Sequence, residues 1–167
     1  INDASSEQIL DNYPNIENIK SIELINMKEN RGHTRCIASG LKYIFEKKEF
    51  DYVIPMDGDG EDRPQEIKDF IKISKQSGNK SIVGERVKRS ESVFFKICYQ
   101  FHKLLTLAFT GQSIKFGNFT CLSKSTVKKM LEEKATWNSF SGSLKKIEKD
   151  LISTPSTRGK RYFGPSK

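Results

Sequence analysis

Four carboxylates fall within six residues, Asp57, Asp59, Glu61 and Asp62, in the stretch DYVIPMDGDGEDRPQEI (51–67). Oxygen donors at this density suit an acidic turn, a calcium loop, or a clamp for a divalent cation that in turn holds an anion. The calcium loop fails on spacing. Counted from Asp57, its sixth place needs Gly and its twelfth Glu, and those places hold Asp62 and Lys68. On an extended segment alternate residues point the same way, so Asp57 and Asp59 can converge on one cation, with Gly58 allowing close backbone approach. Mg2+ or Mn2+ suits this set better than zinc, because soft ligands are absent from it.

Such a clamp needs a rigid frame. Apolar runs at SIELINM (21–27), YVIPM (52–56) and SIVGERV (81–87) predict strands, and the stretches between them carry helical periodicity. Thr34 to Lys47 places Ile37, Ala38, Leu41, Ile44 and Phe45 on one face, with Lys42, Glu46 and Lys47 outside. A second helix is expected from Pro64, a favoured first-turn residue, through Ile67, Phe70, Ile71 and Ile73 to about Gln76, where SGN stops it. Strands alternating with helices predict an α/β fold with a mostly parallel sheet flanked by helices, in a single domain over 1–167. The clamp then falls at the carboxyl edge of the sheet, where open α/β folds bind ligands. Farther on, IKFGNFTCLSK (114–124) reads as a strand with a glycine kink, STVKKMLEE (125–133) as a helix, and STPSTRGKRYFGPSK (153–167) as loop.

Charge is divided along the chain. Residues 1–71 carry nine basic and fifteen acidic groups, net −6, whereas residues 72–167 carry twenty basic and six acidic, net +14. The basic half implies a polyanionic partner: nucleic acid, an anionic membrane surface, or the phosphates of a small ligand. The apolar run Val93 to Phe109 is broken by Lys96, Gln100, His102 and Lys103, which excludes a membrane span and suits a helix lying against a bilayer or a core. Cys36, Cys98 and Cys121 are odd in number and set in apolar surroundings, as reduced core thiols are, which points to a cytosol-facing location. The opening INDASSE reads as the end of a strand entering a turn, so a preceding strand and helix are expected to be missing, and the chain is expected to be cut at both ends.

Six segments occur in one order: INDAS (1–5), NRGHTRCIASGL (30–41), VIPMDGDGEDRPQEI (53–67), VGERVKR (83–89), FGNFTCLSK (116–124) and KRYFGPSK (160–167). With them the chain resembles the family 2 glycosyltransferases of GT-A (Rossmann-like) fold, especially the dolichol- and polyprenyl-phosphate sugar transferase branch. The resemblance implies an inverting transfer of a sugar from a UDP- or GDP-linked donor to a lipid phosphate or another cell-envelope glycan acceptor, at the cytosolic face of a membrane and without nucleic acid.

The same resemblance implies roles by position. Asp3 would contact the nucleobase, and Asn30 and Gly32 would form a tight turn beside the nucleotide. Asp57 and Asp59 match the D-x-D motif, with the metal between them and the diphosphate, which makes the nucleoside diphosphate a better leaving group. Arg86 and Arg89 would approach the donor diphosphate or the acceptor phosphate, and Arg161, Ser166 and Lys167 would close over the phosphates. Asp59, Arg86 and Arg161 would be the catalytic group. The chain departs from the branch at Asn118 and Thr120, where relatives carry an acidic residue and an arginine. Glu61 and Asp62 are expected at the rim, with a base role open to them, and His33 and His102 in surface or packing roles, with a base role open to them in principle. Two rivals are a basic nucleic-acid-binding module, which would lack the usual interleaved aromatic and basic pattern, and a catalytically inactive relative.

Overall fold

The computed structural model describes residues 1–6, 13, 16–86 and 116–162. Four strands, β1 (Tyr52–Val53), β2 (Ile82–Arg86), β3 (Phe116–Ser123) and β4 (Ile152–Ser156), form one sheet in the order β1-β3-β2-β4. β3 is antiparallel to both β1 and β2, while β2 and β4 are parallel. Three strands therefore run one way with a single reversed strand among them. The sheet is mixed and flanked by helices, in keeping with the expected α/β class, and two of its three strand pairings are antiparallel.

Alternation along the strands sends neighbours to opposite faces. Val83 and Leu122 join Leu41, Val53, Val127, Met130, Phe140 and Leu144 in one core. Their neighbours Ile82 and Cys121 join Phe70 and Phe119 in a second. The first core is covered by α1 (His33–Lys47), α3 (Lys124–Glu132) and α4 (Phe140–Ile147), the second by α2 (Ile67–Gln76). Phe70 of α2 meets Phe119 of β3 with ring centroids 4.7 Å apart. The predicted periodicities hold in both helices: Cys36, Ala38, Gly40 and Leu41 are the buried stripe of α1, and Pro64 opens a 3-10 turn leading into α2. Gly78 and Asn79, at φ of 70° and 62°, end α2 as the SGN signal predicts.

Three elements differ from expectation. Residues 21–27 make only an isolated parallel bridge, Asn2 to Asn26, with Asn2 N donating to Ile25 O and Met27 N to Asn2 O, each at 2.9 Å. β1 ends at Val53, because Pro55 has no N–H to continue a ladder, and Ile54 to Met56 run on unpaired by strand hydrogen bonds. The polar stretch read as loop contains β4, where Pro155 is accommodated because β4 lies at the sheet edge. The helix expected over Val93 to Phe109 lies outside the described residues.

Candidate active site

β1 leads straight to the acidic loop, and α1 begins beside it. Gly32, at φ of 86°, is the N-cap of α1 and offers no side chain to the helix end. Asp3 supplies what is missing from a distance: its Oδ1 accepts from Arg31 N and its Oδ2 from Gly32 N, both at 2.9 Å. Asn30 Oδ1 also accepts from Gly32 N at 3.2 Å. Asp3 thus anchors the Asn30 to Gly32 segment from a distance, and the effect is to fix where α1 starts.

The first helical residue, His33, faces the loop. Its Nε2 lies 3.6 Å from Asp57 Oδ1 and contacts the side-chain amide nitrogen of Asn118 on β3. Asp57 Oδ1 is buried and has no hydrogen-bond partner, a costly state unless a ligand relieves it. His33, Asp57, Gly58, Asp59 and Arg161 line a cleft of about 610 Å³, walled by apolar residues of α1 and by Val53 to Met56. Cys36 also lines it. Burial, and then the charge of Asp3, push the Cys36 thiol up.

The loop is not an extended segment. It turns at Gly58 and Asp59, and Gly60 takes φ of 85°. Asp62 Oδ2 accepts from Asp57 N at 2.9 Å, and Asp59 Oδ1 accepts from Glu61 N at 3.0 Å. Beyond β4 the chain runs back along this loop. Thr157 N and Oγ1 donate to Glu66 Oε1, Arg158 pairs with Glu61 at 2.6 Å, and Gly159 N donates to Glu61 O at 2.8 Å. Arg161 pairs with Asp59 at 3.1 Å, and Tyr162 N donates to Asp59 O at 2.8 Å. The Tyr162 ring lies on Gly60, where a Cβ would meet its Cδ2 at 2.6 Å.

Glu61 and Asp62 are therefore not rim residues. They are 5% and 8% exposed, and their oxygens brace the loop. His33, expected in a surface or packing role, stands at the cleft. Nothing local in the sequence marks it beyond its place directly after the Asn30 to Gly32 turn. Arg86 closes β2, pairing with Ser156 of β4. Arg89, Ser166, Lys167 and His102 lie outside the described residues.

A hard cation fits the donor set of oxygens on Asp57 and Asp59, one of them orphaned. Among the described residues, no three His, Cys, Asp or Glu side chains form a metal-holding group of their own. Mg2+-type sites of one or two carboxylates are completed by substrate phosphates and water. Nor is any described helix long and apolar enough to cross a membrane.

No curated protein and no solved structure matches the chain. The family model of glycosyl transferase family 2 matches residues 1–136, which takes in the turn at Gly32, the acidic loop and β3, and the chain belongs to that family of glycosyltransferases, which transfer a sugar from a nucleotide-sugar donor to an acceptor.

Proposed function

We propose that the chain transfers a sugar, with inversion, from a UDP- or GDP-linked donor to a polyprenyl phosphate or another cell-envelope glycan acceptor, aided by Mg2+ or Mn2+ at Asp57 and Asp59. The observation that carries this reading is the orphaned, buried Asp57 Oδ1 in a cleft lined also by Asp59. Carboxylates against a diphosphate repel it, so a cation between them is what reconciles this loop with an anionic donor. When bound, that cation offsets the charge of the diphosphate and makes it a better leaving group.

The chain's own residues do the rest. With the cation bound, Asp59 would face it in place of Arg161, and the Arg161 guanidinium, which lines the cleft, would be able to turn to the diphosphate oxygens. Arg86 and Arg89, with Ser166 and Lys167, add donors for phosphate oxygens. Asp3 retains lone pairs for the nucleobase beside the turn it holds with Asn30 and Gly32. The acceptor oxygen attacks the anomeric carbon from the side opposite the diphosphate. A new C–O bond forms as the bond to the phosphate oxygen breaks, and that oxygen leaves with the electron pair.

A phosphate acceptor is favoured by what the loop carboxylates are doing. A hydroxyl acceptor needs a base to take its proton, whereas an ionised phosphate attacks unaided. Glu61 is bound to Arg158 and Asp62 to Asp57 N, so neither loop carboxylate is placed to serve, and His33 at the cleft is the side chain left for a hydroxyl acceptor. The basic half of the sequence then suits an anionic lipid surface on the cytosolic side. Incubation with UDP- and GDP-linked sugars, Mn2+ and a short polyprenyl phosphate tests this, with the product anomer read by NMR. An inverted lipid-linked sugar is the expected product. Transfer only to a free hydroxyl acceptor would overturn the phosphate assignment, and a retained configuration would overturn the displacement.

A further inference from the structure

Residues 157–162 form a strap along the acidic loop, and its two ends are held unequally. At the anchor, Thr157 N and Oγ1 both donate to Glu66 Oε1, Gly159 N donates to Glu61 O at 2.8 Å, and Arg158 pairs with Glu61 at 2.6 Å. The Glu61 side chain in that pair is only 6% exposed. A Cβ on Gly159 would stand 2.6 Å from Gly60 O, so strap and loop backbones touch there. After the exposed Lys160 comes the tip, where Arg161 pairs with Asp59 at 3.1 Å and Tyr162 N donates to Asp59 O at 2.8 Å. The Asp59 side chain is 22% exposed, and Tyr162 is 70% exposed although its ring lies on Gly60. Segments held by few buried contacts open locally at small cost, so the tip parts from the loop more readily than the anchor does.

Both members of the tip's ion pair, Asp59 and Arg161, line the cleft. A cation drawn to the Asp59 carboxylate therefore meets one already there, carried by the chain itself. We infer that the strap is an autoinhibitory latch worked by exchange of cations: in the metal-free chain Arg161 stands in at Asp59 and keeps the tip docked, and the tip is freed, with the anchor in place, when a divalent cation takes that carboxylate. The inference rests on the metal-assisted reading of the loop. A ligand shifts such an equilibrium only by binding its two states unequally, and a cation does so here because docked Arg161 repels it. Loss of the ion pair removes the attraction between charges that draws the tip onto the loop, and the hydrogen bond from Tyr162 N, at an exposed position, then opens to water more often. The Glu61 carboxylate, buried against Arg158, offers a cation no such exchange.

Amide hydrogen exchange followed by NMR tests this, with the Tyr162 and Gly159 N–H groups as reporters of tip and anchor. With saturating Mg2+ and whichever of UDP or GDP binds, the Tyr162 amide exchanges about three- to fivefold faster, in line with the worth of a partly exposed ion pair, and the Gly159 amide changes by less than about twofold. The same nucleotide in EDTA changes neither. Asp59→Asn, without metal, shows the faster Tyr162 exchange and keeps the wild-type circular dichroism spectrum. Unchanged or slower Tyr162 exchange in the Mg2+ complex, equal acceleration at Gly159, release of the tip in EDTA, or wild-type Tyr162 protection in Asp59→Asn overturns the latch and leaves the metal-assisted reading standing. Failure of the wild type to bind either nucleotide with Mg2+ overturns both.

Discussion

The Arg161 guanidinium lies 3.1 Å from Asp59 Oδ2, and the next residue, Tyr162, donates its N–H to the carbonyl of the same Asp59 at 2.8 Å. One short segment thus grips one loop residue by both side chain and backbone. Gly159 and Arg158 hold Glu61 in the same two ways. The strap is built on the loop that carries Asp57 and Asp59, and it neutralises carboxylates that would otherwise repel one another.

Arg161→Ala separates two roles of that arginine. Without its cationic partner Asp59 is free for a metal, so Mn2+ alone binds about two- to fivefold more tightly, in line with the worth of a partly exposed ion pair. On the role proposed for Arg161, sugar transfer falls in the same variant, because a guanidinium that would face the leaving diphosphate is gone. Titration of Mn2+ without nucleotide, set against initial transfer rates, reads the two effects separately.

Glu61→Ala should lower stability by about 2–3 kcal/mol, since it leaves the Arg158 guanidinium without its charge partner at a mostly buried position. Arg158→Ala should cost a similar amount, and the double variant less than their sum. Urea unfolding of the three variants makes the cycle, and strict additivity would show that the pair does not brace the loop.

Three glycines of the loop and strap differ in what surrounds them. Gly60 has φ of 85° and the Tyr162 ring against it, so Gly60→Ala costs at least about 1–2 kcal/mol in backbone strain alone. At Gly159 a Cβ would sit 2.6 Å from the Gly60 carbonyl oxygen, backbone that cannot swing aside, so Gly159→Ala loosens the strap. Gly58 has open space, and Gly58→Ala stays within about 0.5 kcal/mol of wild type. Thermal melts of the three variants check the order.

Alkaline stability should depend on Cys121. Burial pushes this thiol up to about 11 from an ordinary 9.0. Its folded value lies above its unfolded one, so the stability it contributes is complete below pH 9 and is lost as pH rises to about 11. The slope is about 1.4 kcal/mol per pH unit in that window. Urea denaturation at pH 8 and at pH 10 should show a smaller loss in Cys121→Ala than in wild type. Equal losses would mean that the thiol ionises as readily in the fold as outside it.

Local pattern told most about the helices. The stripe from Ile37 to Phe45 and the pairing of Pro64 with SGN suffice for α1 and α2, because each records burial at a fixed spacing. Pro155 and the polar residues about it hide β4, whose strand character comes from lying along β2. Ile22 and Ile25 suggest a strand that the described structure supports only by one bridge, and Ile22 is exposed. Asp57 and Asp59 are legible at the site from residue type and place. The contact of His33 with Asn118 spans 85 residues of sequence, and that of Arg161 with Asp59 joins the strap to the loop, so no local signal announces either.

Calorimetric titration of UDP and GDP with and without Mn2+, on wild type, Asp57→Asn and Asp59→Asn, tests the role of the acidic loop most directly. Binding of one nucleotide that requires Mn2+ and is lost in both variants, with wild-type circular dichroism spectra, is the result expected. Metal-independent binding of equal strength in all three chains, or no binding of either nucleotide to the wild type, would contradict it.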